Sequence, residues 1–135
     1  MAILKTINDM HAKKMLFLLF LSLAAFAGEA QLKNTKWKVT LQLQELTDVI
    51  FDFKADTLKA ILVADSSVLE TMTYTVQADA LKLKRVSGQS GCDNEAVGVY
   101  HFKITNDQLV VTLADDPCND RSSALDQTRW TKLSQ

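Results

Sequence analysis

From Thr35 onward, apolar and polar residues alternate with a period of two almost to the end of the chain. That period puts successive side chains on opposite faces of an extended strand, one face buried and one wet. Thr35, Trp37, Val39, Leu41 and Leu43 share a face, with Lys36, Lys38, Thr40 and Gln42 opposite. Val49, Phe51 and Phe53 then alternate with Ile50, Asp52 and Lys54. A less regular run, TLKAILVA, precedes Val68, Met72, Tyr74 and Val76, set against Leu69, Thr71, Thr73 and Thr75. Leu81 and Leu83 stand between lysines, and Tyr100, Phe102 and Ile104 oppose His101 and Lys103. Leu109, Val111 and Leu113 follow, and QTRWTKL closes the chain around Trp130. The pattern predicts eight strands.

The separators QELTD, KAD, ADSS, QAD and TND are short and rich in turn formers. Connections that short join antiparallel neighbours. The predicted fold is therefore all-β: an eight-stranded antiparallel up-and-down barrel, which removes exposed sheet edges, with a two-sheet sandwich as the alternative. Two connections are longer, SGQSGCDNE and DDPCNDRSSALD, and the second has room for a helical turn around Ser122 to Leu125.

All seven aromatics after residue 30, Trp37, Phe51, Phe53, Tyr74, Tyr100, Phe102 and Trp130, fit the inward face. A barrel of eight strands is just wide enough to be filled by side chains or to hold one small ligand. Seven large rings in so short a barrel favour filling. Glu70 is the exception, inward by parity beside Met72 and Tyr74, which predicts a barrel mouth, a bulge or a polar handle in a pocket. Leu69, Ile61 and Val63 break the alternation outward and are the hint of a partner surface.

The first 30 residues do not share the alternation. Lys13 and Lys14 precede an apolar run over residues 15–26, and small residues follow. This is the layout of a cleaved signal peptide, with cleavage near Ala27 or Ala30 and Met10 as a possible start. The run falls short of the ~20 apolar residues of a spanning helix. The domain expected after cleavage, residues 31–135, carries 12 Lys and Arg against 14 Asp and Glu, a balance of −2. Nothing in it is basic enough to track nucleic acid, and no second run predicts a transmembrane segment.

An exported chain, periplasmic or extracellular, meets oxidising conditions, and its two cysteines, Cys92 and Cys118, are then most simply a disulfide. Closing a loop of that length stabilises a fold by about 3.5 kcal/mol in the chain-entropy treatment. Competing uses of the acidic loop ADDPCNDR are weaker. Zinc needs four ligands and a tighter cysteine spacing than this chain offers. Calcium on Asp115, Asp116, Asn119 and Asp120 lacks the spacing of an EF-hand loop. A cysteine nucleophile needs a base, and His101 is the sole histidine after residue 30, facing solvent by parity. Gly-x-Ser-x-Gly, His-Glu-x-x-His and phosphate-cradling glycine loops are all missing from the sequence, so the expectation is no enzyme, no metal and no cofactor.

LKNTKWKV resembles the opening strand of lipocalins and their calycin relatives, with Thr35 where the family has Gly before Trp37. The spacing of Cys92, Tyr100, Leu109, Cys118, Arg121 and Trp130 is similar to that of small exported bacterial lipocalin-like proteins. The resemblance implies that a late arginine, Arg129 or Arg121, closes the barrel over Trp37. It also implies a non-enzymatic carrier of a small apolar ligand, with Trp37, Phe51, Phe53, Glu70, Met72, Tyr74, Tyr100 and Phe102 lining the interior. The alternative is an inhibitor of a secreted enzyme, a protease or lysozyme, or an interaction module with a filled barrel. Such a protein would bind its partner through the QLKNT trunk or the SGQSG loop.

Overall fold

A computed structural model of the chain describes Gly28 and residues 30–135. The expected signal segment, apart from Gly28 and Ala30, lies outside the described residues. The strands are β1 (Lys36–Gln42), β2 (Leu46–Phe53), β3 (Thr57–Leu62), β4 (Val68–Gln77), β5 (Ala80–Gly88), β6 (Val97–Thr105), β7 (Gln108–Asp115) and β8 (Thr128–Lys132). One short helix, α1 (Asn119–Leu125), lies between β7 and β8. Every strand pairs antiparallel with its neighbours in sequence, and β8 returns to β1, so the sheet closes into an up-and-down barrel. The period-2 pattern dictates this outcome: one face of each strand is apolar, and closing the sheet buries all those faces together.

Turn chemistry agrees with the topology. Between β6 and β7, Asn106 and Asp107 both take positive φ, 49° and 60°, the conformation of a two-residue hairpin whose twist matches its strands. Asn and Asp tolerate that region better than most residues.

The barrel has two unlike ends. At the closed end sit the β2–β3, β4–β5 and β6–β7 turns and the residues before β1. There Leu32 is fully buried, and Gly28 lies against Val76, Ala78 and Phe102. Thr35 donates its hydroxyl to the Leu32 carbonyl and accepts the indole N–H of Trp37 at 2.8 Å, which ties the incoming chain to the first strand. At the open end sit the β1–β2 and β3–β4 turns, the 89–96 loop and the 116–127 connection that carries α1.

The core is aromatic in its middle and towards the closed end. Phe51 and Trp130 stack with centroids 4.2 Å apart, and Phe53 meets Tyr74 edge-on at 5.0 Å. Such pairs contribute about 0.5–1.5 kcal/mol each beyond their buried area. All seven aromatics predicted inward are buried.

Parity fails in β4, for a physical reason. The β3–β4 register slips between Ala60 and Ile61, so that Ala60 faces Glu70 while Ile61 faces Val68. A bulge of one residue reverses the faces beyond it. Val68, expected inward, is 46% exposed, and Leu69, expected outward, packs on the core. Leu43 and Leu113, also inward by parity, lie at the open end and are partly exposed.

Truncating Leu81, fully buried in β5, is expected to cost about 2–5 kcal/mol, read as a lower urea midpoint. The same change at Leu46, exposed on β2, is expected to stay within about 0.5 kcal/mol.

Candidate functional site at the open mouth

The open end holds a cleft of about 750 Å³. Its apolar wall comes from inward positions of three strands, Leu41 of β1, Phe51 of β2 and Met72 of β4, and from Leu125 of α1. Ala60 and Leu62 of β3 complete that wall, and the small side chain of Ala60 leaves space of the kind that the rings fill at the other end. Polar groups enter from β4, the 89–96 loop and α1, chiefly Glu70, Ser90, Asp120 and Arg121.

Two charged pairs frame the mouth, and each lies over a glycine. Glu70 is 8% exposed, and its carboxylate accepts the Ser90 hydroxyl at 2.6 Å and the Ser90 amide at 3.2 Å. Arg85 Nε stands 3.3 Å from the same carboxylate. Arg85 continues the inward face of Leu81 and Leu83, just before the register of β4 with β5 slips between Thr71 and Met72. The close approach of β4 to β5 here depends on Gly88, whose φ is +138° and where a Cβ would fall 2.6 Å from the Leu69 carbonyl oxygen.

Asp116 and Arg121 form the second pair. Arg121 reaches Asp116 through two nitrogens, Nε at 2.6 Å and Nη2 at 2.8 Å, and Nη2 also donates to the Ala96 carbonyl at 3.1 Å. The Tyr100 hydroxyl and the Cys118 amide donate to the same carboxylate. The pair lies across Gly98 of β6, where a Cβ would stand 2.8 Å from Arg121 Nε. Only a residue without a side chain lets a guanidinium sit on the inner wall at that level.

Burial works against the charge of Asp116, but the Arg121 guanidinium, the Tyr100 hydroxyl and the Cys118 amide outweigh it and hold its pKa below the ordinary value. Burial, followed by the neighbouring carboxylate, pushes the Tyr100 hydroxyl well above its usual range, so it stays protonated. Arg121 is raised, because Asp116 outweighs the burial that would lower it.

The disulfide Cys92–Cys118 pins the 89–96 loop to the residue that precedes α1. Asp120 repeats the connection non-covalently by accepting the Gly91 amide at 2.8 Å. With the Arg121 hydrogen bond to the Ala96 carbonyl, two walls of the mouth are thus held together by one covalent bond and two hydrogen bonds.

Of the interior residues expected to meet a ligand, Phe51, Glu70 and Met72 line this cleft. Trp37, Phe53, Tyr74, Tyr100 and Phe102 are buried but do not line it. Tyr74 donates to the Lys54 carbonyl at 2.5 Å and Tyr100 to Asp116, so their hydroxyls serve the fold. The expected arginine cap on Trp37 is not formed. Arg129 is exposed on the outer face of β8, and Arg121 is committed to Asp116. Lys132, the partner of Trp37 across the β1–β8 seam, has its ammonium 6.0 Å from the Trp37 ring instead.

The carboxylate of Asp116, weighed as a calcium ligand, is occupied by Arg121, Tyr100 and the Cys118 amide. Among the described residues no group of three or more His, Cys, Asp and Glu side chains is arranged to hold a metal ion. His101 lies on the outer face, with Nδ1 3.5 Å from an Asp79 carboxylate oxygen.

Sequence reasoning missed Arg85, Gly88 and Gly98. The available signals were parity, which puts Arg85 on the face of Leu81 and Leu83, and the two of the chain's four glycines that fall on the strands flanking the mouth. No family model, curated protein or solved structure significantly matches this chain.

Two outcomes are expected. Asp116 has a folded pKa below its unfolded value, so its contribution to stability is full above about pH 4 and is lost as pH falls through the folded value. Urea midpoints taken from pH 6 down to pH 2 should therefore fall, and Asp116→Asn should flatten that dependence. Separately, replacing both cysteines by serine should cost about 2–4 kcal/mol, read as a lower denaturation midpoint of a still β-rich protein.

Proposed function

We propose that the chain is an exported, non-enzymatic, lipocalin-like binding protein that takes a small molecule with an apolar body into the open end of its barrel. The observation that carries this reading is the cleft of about 750 Å³, apolar along Leu41, Phe51, Met72 and Leu125 and polar at Glu70 and Arg121. A concave, mostly apolar space with a few converging polar groups is the usual form of a small-molecule site. The barrel around it is closed, and its rings are concentrated below the cleft, which gives a rigid floor. The disulfide supports a working place outside the reducing cytoplasm. Among the described residues no helix is long and apolar enough to cross a membrane.

The resemblance to small exported lipocalin-like proteins rests on Trp37 and the cysteine spacing, and the eight-stranded closed barrel agrees with it. In this reading the cleft binds and does not turn over: Glu70 and Arg121 are each spent on a charged partner, Arg85 and Asp116, and a general acid or base needs a group free to exchange a proton with substrate.

Non-denaturing mass spectrometry of protein taken from its native exported fraction tests the reading. The expected spectrum shows a small adduct that is lost on unfolding. Phe51 both lines the cleft and stacks on Trp130, so the same adduct should change tryptophan emission. Met72→Trp, which fills the cleft, should weaken binding at least tenfold. A bare chain whose emission is insensitive to every apolar probe would sink the carrier reading.

One observation favours the second reading, an inhibitor of a secreted enzyme. Leu43, Leu46, Val63 and Val68 are exposed apolar residues at the open-end turns of β1–β2 and β3–β4. In the trunk before β1, Leu32 and Thr35 are buried while Gln31, Lys33 and Asn34 are exposed. Micromolar inhibition of lysozyme or of a secreted protease, lost in Leu46→Asp, would support this reading; no inhibition across such a panel would remove it.

A further inference from the structure

The charges of the domain are sorted along the barrel. At the open end the β1–β2 turn carries Glu45, the β3–β4 turn Asp65, and the 89–96 loop Asp93 and Glu95. The 116–127 connection adds Asp116, Asp120 and Asp126, and its Arg121 is the one basic residue in all four connections. That end therefore holds seven acidic side chains against one basic, a balance of −6. The eight strands carry nine Lys and Arg against four Asp and Glu, a balance of +5. Residues 31–35 and 133–135 with the closed-end turns carry −1, from Lys33 and Lys54 against Asp56, Asp79 and Asp107. A domain that is nearly neutral as a whole is thus strongly negative at its mouth.

The same end holds the apolar cleft, and four of the residues that line it are charged: Glu45, Glu70, Asp120 and Arg121. Glu70 is paired with Arg85, and Arg121 with Asp116. Glu45 and Asp120 are exposed, and among the described residues neither forms an ion pair. Asp120 accepts only the Gly91 amide. Ionic attraction reaches about 10 Å in dilute salt and is focused by a cleft with low-dielectric walls, so neither carboxylate has to point at its partner. An anion brought to the cleft meets a rim whose excess charge repels it. A cation is attracted, and at an exposed rim it keeps most of its water, which avoids the cost of burying a charge.

We propose that the ligand is a cationic amphiphile, an apolar chain or ring system that ends in a protonated amine. Its apolar part lies along Leu41, Phe51 and Met72, and its ammonium stays in water at the rim, near Glu45 and Asp120. This deepens the carrier reading and rests on it. Apolar burial supplies the affinity, and the charge of the mouth selects the head group and steers it in. Like charges gathered at one end also repel one another and weaken the fold, so a ligand of opposite charge relieves that strain as it binds.

Three probes with the same ten-carbon chain separate the possibilities: decylamine, 1-decanol and decanoate. Each is titrated at pH 7 into the oxidised protein and followed by tryptophan emission and non-denaturing mass spectrometry. In about 20 mM salt the amine is expected to bind roughly tenfold more tightly than decanol, the combined effect of two exposed ion pairs, with decanoate weakest. In about 0.5 M salt most of that advantage should vanish, because exposed charges are then screened. The double variant Glu45→Gln with Asp120→Asn should lower the advantage in dilute salt at least about threefold. If that variant fails to fold by circular dichroism, the three probes at two salt concentrations in the unaltered protein still decide. Decanol binding as tightly as the amine, or an amine advantage that salt leaves unchanged, would overturn the inference while leaving the carrier reading intact. Tightest binding of decanoate would overturn it in favour of an anion site. Failure of all three probes would overturn the carrier reading and this inference together.

Discussion

The seam between β1 and β8 makes a barrel out of a sheet. It is the shortest junction in the molecule, with Trp37 facing Lys132 and Lys38 facing Thr131. The Leu133 amide extends it by donating to the Lys36 carbonyl at 2.8 Å. Without that contact the meander would have two free edges and an apolar face open to water. With it, inward residues from all eight strands meet, and Trp37 and Trp130, from the two strands that close on each other, are both fully buried. The energetic weight of closure lies less in the few seam hydrogen bonds than in the burial they make possible.

Closure also fixes what each end can be. Towards the closed end the inward positions carry large rings, and Leu32 with the chain before β1 covers what remains. Towards the open end the inward positions shrink to Ala60 and Gly98 or turn polar at Glu70 and Arg85. The same alternation therefore yields a filled floor and an open mouth, depending only on side-chain volume along each strand. A barrel of this width has space for a ligand only where the rings stop.

The mouth shows how charges are kept inside a small protein. A buried ion pair costs more in lost hydration than it returns unless its remaining polar groups are also satisfied. Asp116 meets that condition, with Arg121, Tyr100 and the Cys118 amide around it. Glu70 meets it with Ser90 and Arg85. Arg121 meets it on one edge only, and its Nη1 is buried without a partner. The disulfide acts on this arrangement directly, because Cys118 is both a bridge half and a donor to Asp116. The loop ADDPCNDR is thus a staple and a charge-holding turn at once.

The sequence by itself determined the strands, their number, their antiparallel order and the Cys92–Cys118 bond. These follow from the pattern of the chain: period-2 alternation, short turns, and only two cysteines, both in loops of a chain read as exported. It also marked Glu70 as a polar residue on an inward face, because parity is a property of the strand alone. Tertiary structure decided what depends on register between strands. The slip between Ala60 and Ile61 turned Val68 outward and Leu69 inward; Leu69 and Glu70 break the alternation within β4, but where the register shifts is set by its pairing with β3. The partners of Arg121 and Arg129 were likewise undecidable from the chain. An arginine's reach spans several positions, and only the folded path of α1 shows that Arg121 meets Asp116 across Gly98 while Arg129 stays in water. The cleft itself is of this kind, since an unfilled volume is the difference between a closed wall and the side chains inside it, and neither is local to any stretch of sequence.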